Sequence, residues 1–330
     1  MLDLITKLSE RLSEIRFDEA FTNAVSDYLG GETDMDSEGN LYVNRKEHTS
    51  VLVIAPFFTY PLAVDRIFED SAIGFELHDA KSIAPLPGSE IRIHGRKVFR
   101  GVIGSVPPHL QKGYSAKSPY ELSDLKCDVG ENCETLRENV YPGTRITFAD
   151  VPYGLQGGKV AGKDLDLTAP AAALLRCIEK LPEDRFTICF CTDWYAALQQ
   201  TTPEFVVVVD AIDVEMFKKE YSHGEGLGRI YIESGISVSP KVRDILKTAA
   251  DAAKIDSDWL VRSDKHDETH TITWDIQTAM GGFPVGTIYL PYEGGSSGVQ
   301  IMAGDAAEQT AKLLSEITVF PKRCELCLSI

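Results

Sequence analysis

The chain has 330 residues, 43% hydrophobic and 25% charged, the composition of a folded protein long enough for two domains. Its 50 acidic residues outweigh 33 basic ones, and the formal charge of −17 argues against binding nucleic acid or an anionic membrane. No stretch reaches the roughly 18 apolar residues of a membrane span, and Met1-Leu2-Asp3-Leu4 does not open a secretory signal, so a cytoplasmic location is expected.

Leu4, Ile5, Leu8, Leu12 and Ile15 recur at helical spacing and predict an opening amphipathic helix. Phe17 to Tyr28 reads as a second helix, stopped by Gly30-Gly31. Asp34 to Asn40 is a turn cluster, and Leu41 to Val43 a strand. Val51 to Ala55 is an unbroken apolar run, the pattern of a strand buried on both faces. From about residue 66 to 157, glycine and proline punctuate short strands, among them Ile91 to His94 and Val98 to Ile103. A short helix is expected inside the polar stretch Leu122 to Leu136. Many short strands between such turns predict a small barrel or sandwich.

After residue 158 the pattern changes again. A helix is predicted over Ala169 to Leu181, and strands over Phe186 to Cys191 and Phe205 to Val209. Ser239-Pro240 starts a helix that runs to about Ile255, with Ser as N-cap and Pro at the first helical position. Thr287 to Leu290 is a strand and Ala306 to Ile317 a final helix. Strands alternating with helices predict a mainly parallel sheet covered on both faces. The expected fold is therefore α/β: one layered domain (residues 1–65 and 158–330), interrupted by a β-barrel-like domain (66–157).

Seven cysteines, an odd number, fit a reducing compartment. Cys189 and Cys191 alternate along one strand and are expected to pack together as small apolar groups. Cys324 and Cys327 form a lone Cys-x-x-Cys, without the second pair of a structural zinc site.

Ligands of α/β sheets sit beyond the C-terminal ends of strands. Three carboxylates fall at such places: Asp166, in the stretch Gly162 to Pro170, then Asp193 and Asp210. Residue type alone leaves two readings, caps for the following helices and loops or members of one metal or substrate site. His266 and His270, four residues apart, would suit a metal only on a helix, and Thr271-Ile272-Thr273 after them reads as extended. They and His223 are therefore read as solvated loop residues. Trp194-Tyr195, Phe57-Phe58 and Tyr292 are either pocket lining or core and oligomer contacts. No nucleophile elbow, P-loop or dinucleotide fingerprint occurs.

The stretch Gly101-Val102-Ile103-Gly104-Ser105-Val106-Pro107-Pro108-His109-Leu110 resembles a segment of the glutamyl/tetrahedral aminopeptidases, a family of dinuclear metallopeptidases that includes cellulase-like members. Leu86-Pro87-Gly88, Asp128-Val129-Gly130, Gly162-Lys163-x-Leu165-Asp166, Val208-Val209-Asp210, Ile236 to Leu246 and Pro284-x-Gly286 are similar to further family segments, in the same order. The resemblance spans nearly the whole chain. It implies a zinc-peptidase-like three-layer domain with an inserted barrel, homo-oligomers, and peptide or small-molecule ligands.

Active members carry a His-x-Asp after the strand equivalent to Val51 to Ala55, and here those places fall on Pro56 and Phe58. The family's bridging aspartate falls on Asp166, and a second aspartate ligand on Asp210. Its paired glutamates, general base then metal ligand, fall on Asp193 and Trp194. Its last histidine ligand falls near Ser296, and no histidine occurs from 271 to 330. Zinc favours at least three protein ligands, and a two-metal centre needs a bridge plus several terminal ligands. The expectation is thus a homologue stripped of most metal ligands, without a bound metal cofactor, catalytically inactive, and serving as a binding or structural subunit. The alternative is an aminopeptidase using zinc or another divalent metal in a site rebuilt from Asp166, Asp193 and Asp210.

Overall fold

The computed structural model describes residues 1–14, 23, 25–30, 33–57, 62–77, 83, 85–106, 121–149, 151–178, 181, 186–217, 226–235, 238–261, 271–279, 282–295 and 298–317. The positions of Phe58, His223, His266, His270, Ser296, Cys324 and Cys327 lie outside them, as does most of the expected second helix, of which 25–29 are helical.

In chain order, α1 (Leu2–Glu14) leads to β1 (Asp34–Met35), β2 (Leu41–Val43) and β3 (Val51–Pro56). Next come β4 (Leu62–Ile67), β5 (Ile73–Leu77), β6 (Glu90–His94), β7 (Val98–Ser105), β8 (Leu125–Asp128), α2 (Cys133–Asn139) and β9 (Arg145–Phe148). Then follow β10 (Tyr153–Gly154), β11 (Lys159–Gly162), α3 (Leu165–Ile178), β12 (Phe186–Cys191), α4 (Trp194–Thr201) and β13 (Phe205–Asp213). The chain continues through β14 (Ile230–Glu233), α5 (Pro240–Ala252), β15 (Ser257–Leu260), α6 (Ile272–Thr278), β16 (Val285–Glu293), β17 (Gln300–Ala303) and α7 (Ala306–Ser315).

The large sheet runs β1-β2-β12-β3-β13-β16-β17-β11-β10, with β14 and β15 branching from β16. Its centre, β12-β3-β13-β16, is parallel. The strands flanking this centre, β2 beside β12 and β17 beside β16, pair antiparallel. Alternation along the central strands feeds two cores. Val51, Val53, Val207, Val209, Ile188 and Ile288 face α1, α3, α5 and α7. Leu52, Ile54, Val206, Val208, Cys189 and Cys191 face α4 and α6. The two cysteines share a buried face, as their alternation requires, and burial pushes the Cys189 thiol well above its usual range.

The insertion is a closed six-stranded barrel, β4-β5-β8-β7-β6-β9. Its interior is filled by Leu62, Val64, Ile73, Phe75, Ile91, Ile93, Phe99, Ile103, Cys127 and Ile146. Gly101 on β7 permits close pairing: a Cβ there would stand 2.5 Å from the Asp128 carbonyl oxygen of β8. The barrel touches the α/β layer beside the sheet's C-terminal edge. Lys163 Nζ donates to Ser89 Oγ at 2.9 Å and lies 4.1 Å from the Phe148 ring centroid. A Cβ on Gly298 would meet Pro85 Cβ at 2.5 Å.

Among the differences from the sequence expectation, three concern the starts of α3 and α6 and the length of β13. The helix expected from Ala169 begins at Leu165 and carries Pro170 inside it. Asp164, in the left-handed region at φ 56°, turns the chain, and its carbonyl accepts from Leu167 N, Thr168 N and Thr168 Oγ1. The helix is thus nucleated before the proline is reached. The strand expected to end at Val209 continues to Asp213, because β16 pairs with it as far as Tyr292. Finally, Thr271 to Thr273 is not extended: Thr271 Oγ1 accepts from Trp274 N and caps α6.

Candidate functional site

The parallel centre of the sheet ends in a row of residues at one level. Pro56 pairs with Cys191 of β12, and Ile54 with Val208 of β13, which brings Asp210 level with Pro56. Asp210 in turn pairs with Tyr289 of β16, and Asp213 with Tyr292. Pairing partners share a face. Asp213 and Tyr292 therefore point to the side covered by α3, and Asp210 and Tyr289 to the other.

Asp166 enters from the first turn of α3. Its backbone N–H donates to Gln300 Oε1 at 3.0 Å, and Gln300 pairs with Gly162 at the neighbouring edge of the sheet. Helix start and sheet edge are thus tied together by one glutamine side chain, at the end where the helix dipole favours negative charge.

Tyr292 shares its face with Asp213. Its side chain is 5% exposed. Burial, and then the charges of Asp166, Asp213 and Asp210, hold its hydroxyl well above the usual phenol range, so the phenol is neutral. Asp213 was not singled out from the sequence. Its signal was the repeat Asp210-Ala-Ile-Asp213 on a strand whose true length only the β16 pairing defines. A Cβ on Gly295 would stand 2.6 Å from Asp213 Oδ2 and 3.4 Å from the Tyr292 hydroxyl, so both oxygens converge above that glycine.

Asp193 has a different setting. It is the N-cap of α4, and its Oδ1 accepts from Tyr195 N at 2.9 Å and Ala196 N at 3.1 Å. Asn40, fully buried, accepts from the N–H groups of Thr192 and Asp193 through Oδ1, and donates from Nδ2 to the Asp193 carbonyl. Asp193 is not among the groups that act on Tyr292. Trp194 packs edge-on against Tyr195, ring centroids 5.8 Å apart, and lies beside the α4 and α6 core. Among the described residues, no three His, Cys, Asp or Glu side chains stand close enough together to hold a metal ion.

The arrangement can bind positive charge. The charges of Asp166, Asp213 and Asp210 all act on one buried phenol near the C-terminal end of a parallel sheet, the usual ligand position of such folds.

Comparison with known proteins agrees with this architecture. Aminopeptidase APDkam598 from the archaeon Desulfurococcus kamchatkensis has a similar structure, with a TM-score of 0.81 at 18% identity over 99% of this chain and 96% of that one. The Pyrococcus horikoshii TET1 peptidase, which can assemble into a tetrahedron or a large octahedral shell, gives 0.79 at 18% identity over 96% of this chain and 98% of that one. An endoglucanase from Thermotoga maritima gives 0.72 at 17% identity, over 94% and 95%. These likenesses establish the fold. The sequence model of M42 glutamyl aminopeptidases matches residues 39–313, covering the central sheet and the whole barrel. The chain belongs to the M42 glutamyl aminopeptidase family.

Proposed function

We propose that this member of the family has lost most of its metal-binding side chains and acts as a binding or structural subunit without peptidase activity. The observation that carries the reading is Pro56. It is buried in β3 between the strands of Cys191 and Asp210, where the resemblance puts a metal-binding histidine. Proline offers no side-chain donor atom.

The other donor positions support the same reading. Trp194 cannot bind a cation through a lone pair. Asp193, at the place of the general base, spends one carboxylate oxygen on the first turn of α4. Asp166 and Asp210 remain, with Asp213 nearby. A dinuclear centre needs a bridging carboxylate and several terminal ligands, with imidazole commonly among zinc's ligands. This donor set does not fit that centre, and we derive no reaction step through a metal. What the residues can do is hold a cationic or hydrogen-bonding ligand against Tyr292.

A specific observation also favours a second reading: the charges of both Asp166 and Asp210 act on the Tyr292 hydroxyl. Under that reading a rebuilt site of Asp166, Asp193 and Asp210 would bind a divalent ion such as zinc and remove N-terminal residues from peptides. Metal analysis of protein purified without chelator separates the two. The first reading expects substoichiometric metal and no turnover of aminoacyl substrates. Two divalent ions per chain, with hydrolysis abolished by Asp166→Ala, would overturn it.

The assembly and compartment complete the proposal. We infer a homo-oligomer, for which the solution mass is the test: about 36.4 kDa, the mass of one chain, would count against it. A cytoplasmic location is supported by the five described cysteines, all of them free thiols.

A further inference from the structure

We propose that the outer face of strands β7, β6 and β9 of the barrel is a docking surface for an acidic peptide segment of a partner protein. The surface centres on the β6–β7 hairpin, at the opposite end of β6 from Ser89, which meets Lys163. It is separate from the end of the central sheet, and the inference holds whether or not a metal binds there.

The pairing register sets cations side by side. Alternation sends Ile91, Ile93, Phe99 and Ile146 into the barrel and their neighbours outward. In one outward row Arg100 pairs with Arg92, and Arg92 with Thr147. In the next, Val98 pairs with His94, and Arg145 stands on the face of His94, one residue from the Ile93–Ile146 pair. Like charges directly opposite on neighbouring strands destabilise a sheet. Arg92 against Arg100 is such a pair, and an anion laid across it turns repulsion into attraction. The field is felt within the patch. His94, hydrogen-bonded to Thr147 Oγ1 at 2.8 Å, is held down to about 4 by burial and then by the charges of Arg145 and Arg92.

The hairpin adds Arg96 and Lys97, both exposed. It is fixed against α2: Arg96 N donates to the Asn139 carbonyl at 2.8 Å, and a Cβ on Gly95 would stand 2.3 Å from that oxygen. The cations are thus presented by a pre-organised element, which lowers the cost of binding. The row nearer the sheet is acidic, with Glu90 and Asp128 on either side of Val102. Positive charge is therefore concentrated in the hairpin half.

Arginine forks match carboxylate and phosphate alike. Two features favour carboxylates on a peptide. Val98, 51% exposed, and Val102, 40% exposed, flank Arg100 along β7. A bare phosphate would leave them uncovered, whereas an extended segment of alternating acidic and apolar residues covers them. Moreover, the formal charge of −17 repels any polyanion long enough to overrun the patch, such as nucleic acid, while a segment of a few residues meets mainly the cations.

Fluorescence anisotropy with the full chain tests the inference. The probes are an amino-terminally labelled peptide of three Glu-Leu repeats, its Gln-Leu counterpart and a labelled hexathymidylate. Binding of the acidic peptide is expected, falling as salt is raised, and about tenfold or more weaker for the glutamine peptide. Arg100→Glu should weaken binding about fivefold or more, and Val98→Ser about twofold or more. Lys312→Glu, the same change of charge on the exposed side of α7, should leave it unaltered. Arg100→Gln removes the charge without reversing it, and carries the test if the reversed variant does not fold. No binding of the acidic peptide, equal binding of the glutamine peptide, equal weakening by Arg100→Glu and Lys312→Glu, or tighter binding of the oligonucleotide would overturn the inference. So would a changed mass in solution for Arg100→Glu, which would place a second copy of this chain on the face.

Discussion

Asn40 shows how one side chain can set a functional edge. Its amide oxygen accepts from Thr192 N and Asp193 N, each at 2.9 Å, and its nitrogen donates to the Asp193 carbonyl at 3.0 Å and to Asp36 Oδ2 at 2.9 Å. Asp36 is itself gripped by Glu38 N, Asn40 N and the Tyr42 hydroxyl. Burial works against its charge, but these hydrogen bonds prevail and hold the carboxyl below the usual range. The turn between β2 and its neighbours thus braces the β12–α4 junction where Asp193 sits. Asn40→Ala would leave two partly buried backbone N–H groups without that acceptor, and should destabilise the protein by about 1–3 kcal/mol in urea unfolding. Asp193 allows a sharper discrimination. Asparagine caps helices as well as aspartate does, so Asp193→Asn should change stability by less than about 0.5 kcal/mol, while Asp193→Ala should cost about 1 kcal/mol. Any aminopeptidase turnover lost specifically in the asparagine variant would assign Asp193 a role as base.

At the scale of elements, the site is made by where helices and strands begin and end. Asp164 at positive φ starts α3 early enough to carry Asp166 inside its first turn. Pro170, lacking an N–H, is tolerated in that helix at the loss of the bond to the Asp166 carbonyl. The length of β13 does the same for Asp213, which a strand ending at Val209 would leave in a loop. β16 is held against α5 by Gly286, where a Cβ would meet Val242 Cγ1 at 2.8 Å and Leu246 Cδ1 at 3.0 Å. Both are well-packed core side chains. Gly286→Ala should therefore destabilise by roughly 1–3 kcal/mol through overpacking, measurable by denaturant titration. The shift of α5 would also disturb the pairing of β16 that places Tyr292.

For the whole molecule, the α/β layers and the barrel meet beside the candidate site, through Lys163 and the close approach of Gly298 to Pro85. In the barrel, His94 hydrogen-bonds Thr147 Oγ1 at 2.8 Å. Burial, then the charges of Arg145 and Arg92, push it down to about 4. An unfolded histidine, near 6.5, binds its proton first as pH falls. The stability this neutral histidine contributes is therefore present above about pH 6.5 and is lost as pH falls toward 4. Thermal unfolding should lose midpoint across that window, and His94→Gln should flatten the slope. An unchanged slope would show that His94 does not control acid stability.

The apolar runs Val51 to Ala55, Phe186 to Cys191 and Phe205 to Val209 were legible as buried strands because a parallel centre covered on both faces leaves no polar side to alternate with. The barrel was legible from its closely spaced turns, and the family from the order of short segments along the chain. Asp166 and Asp210 could be picked out by their places in those segments. Asp213 could not, nor the standing of Tyr292 between pocket and core. Which face each carboxylate takes depends on register and strand length, and those are set by pairing between β13 and β16, far apart in sequence. The sequence by itself determined the layered fold, the barrel and the family, because local pattern and segment order carry that information. Only the tertiary structure decided that Asp193 caps a helix and that β13 reaches Asp213 on the face of Tyr292, because strand length and face are set by pairing between segments far apart in the chain.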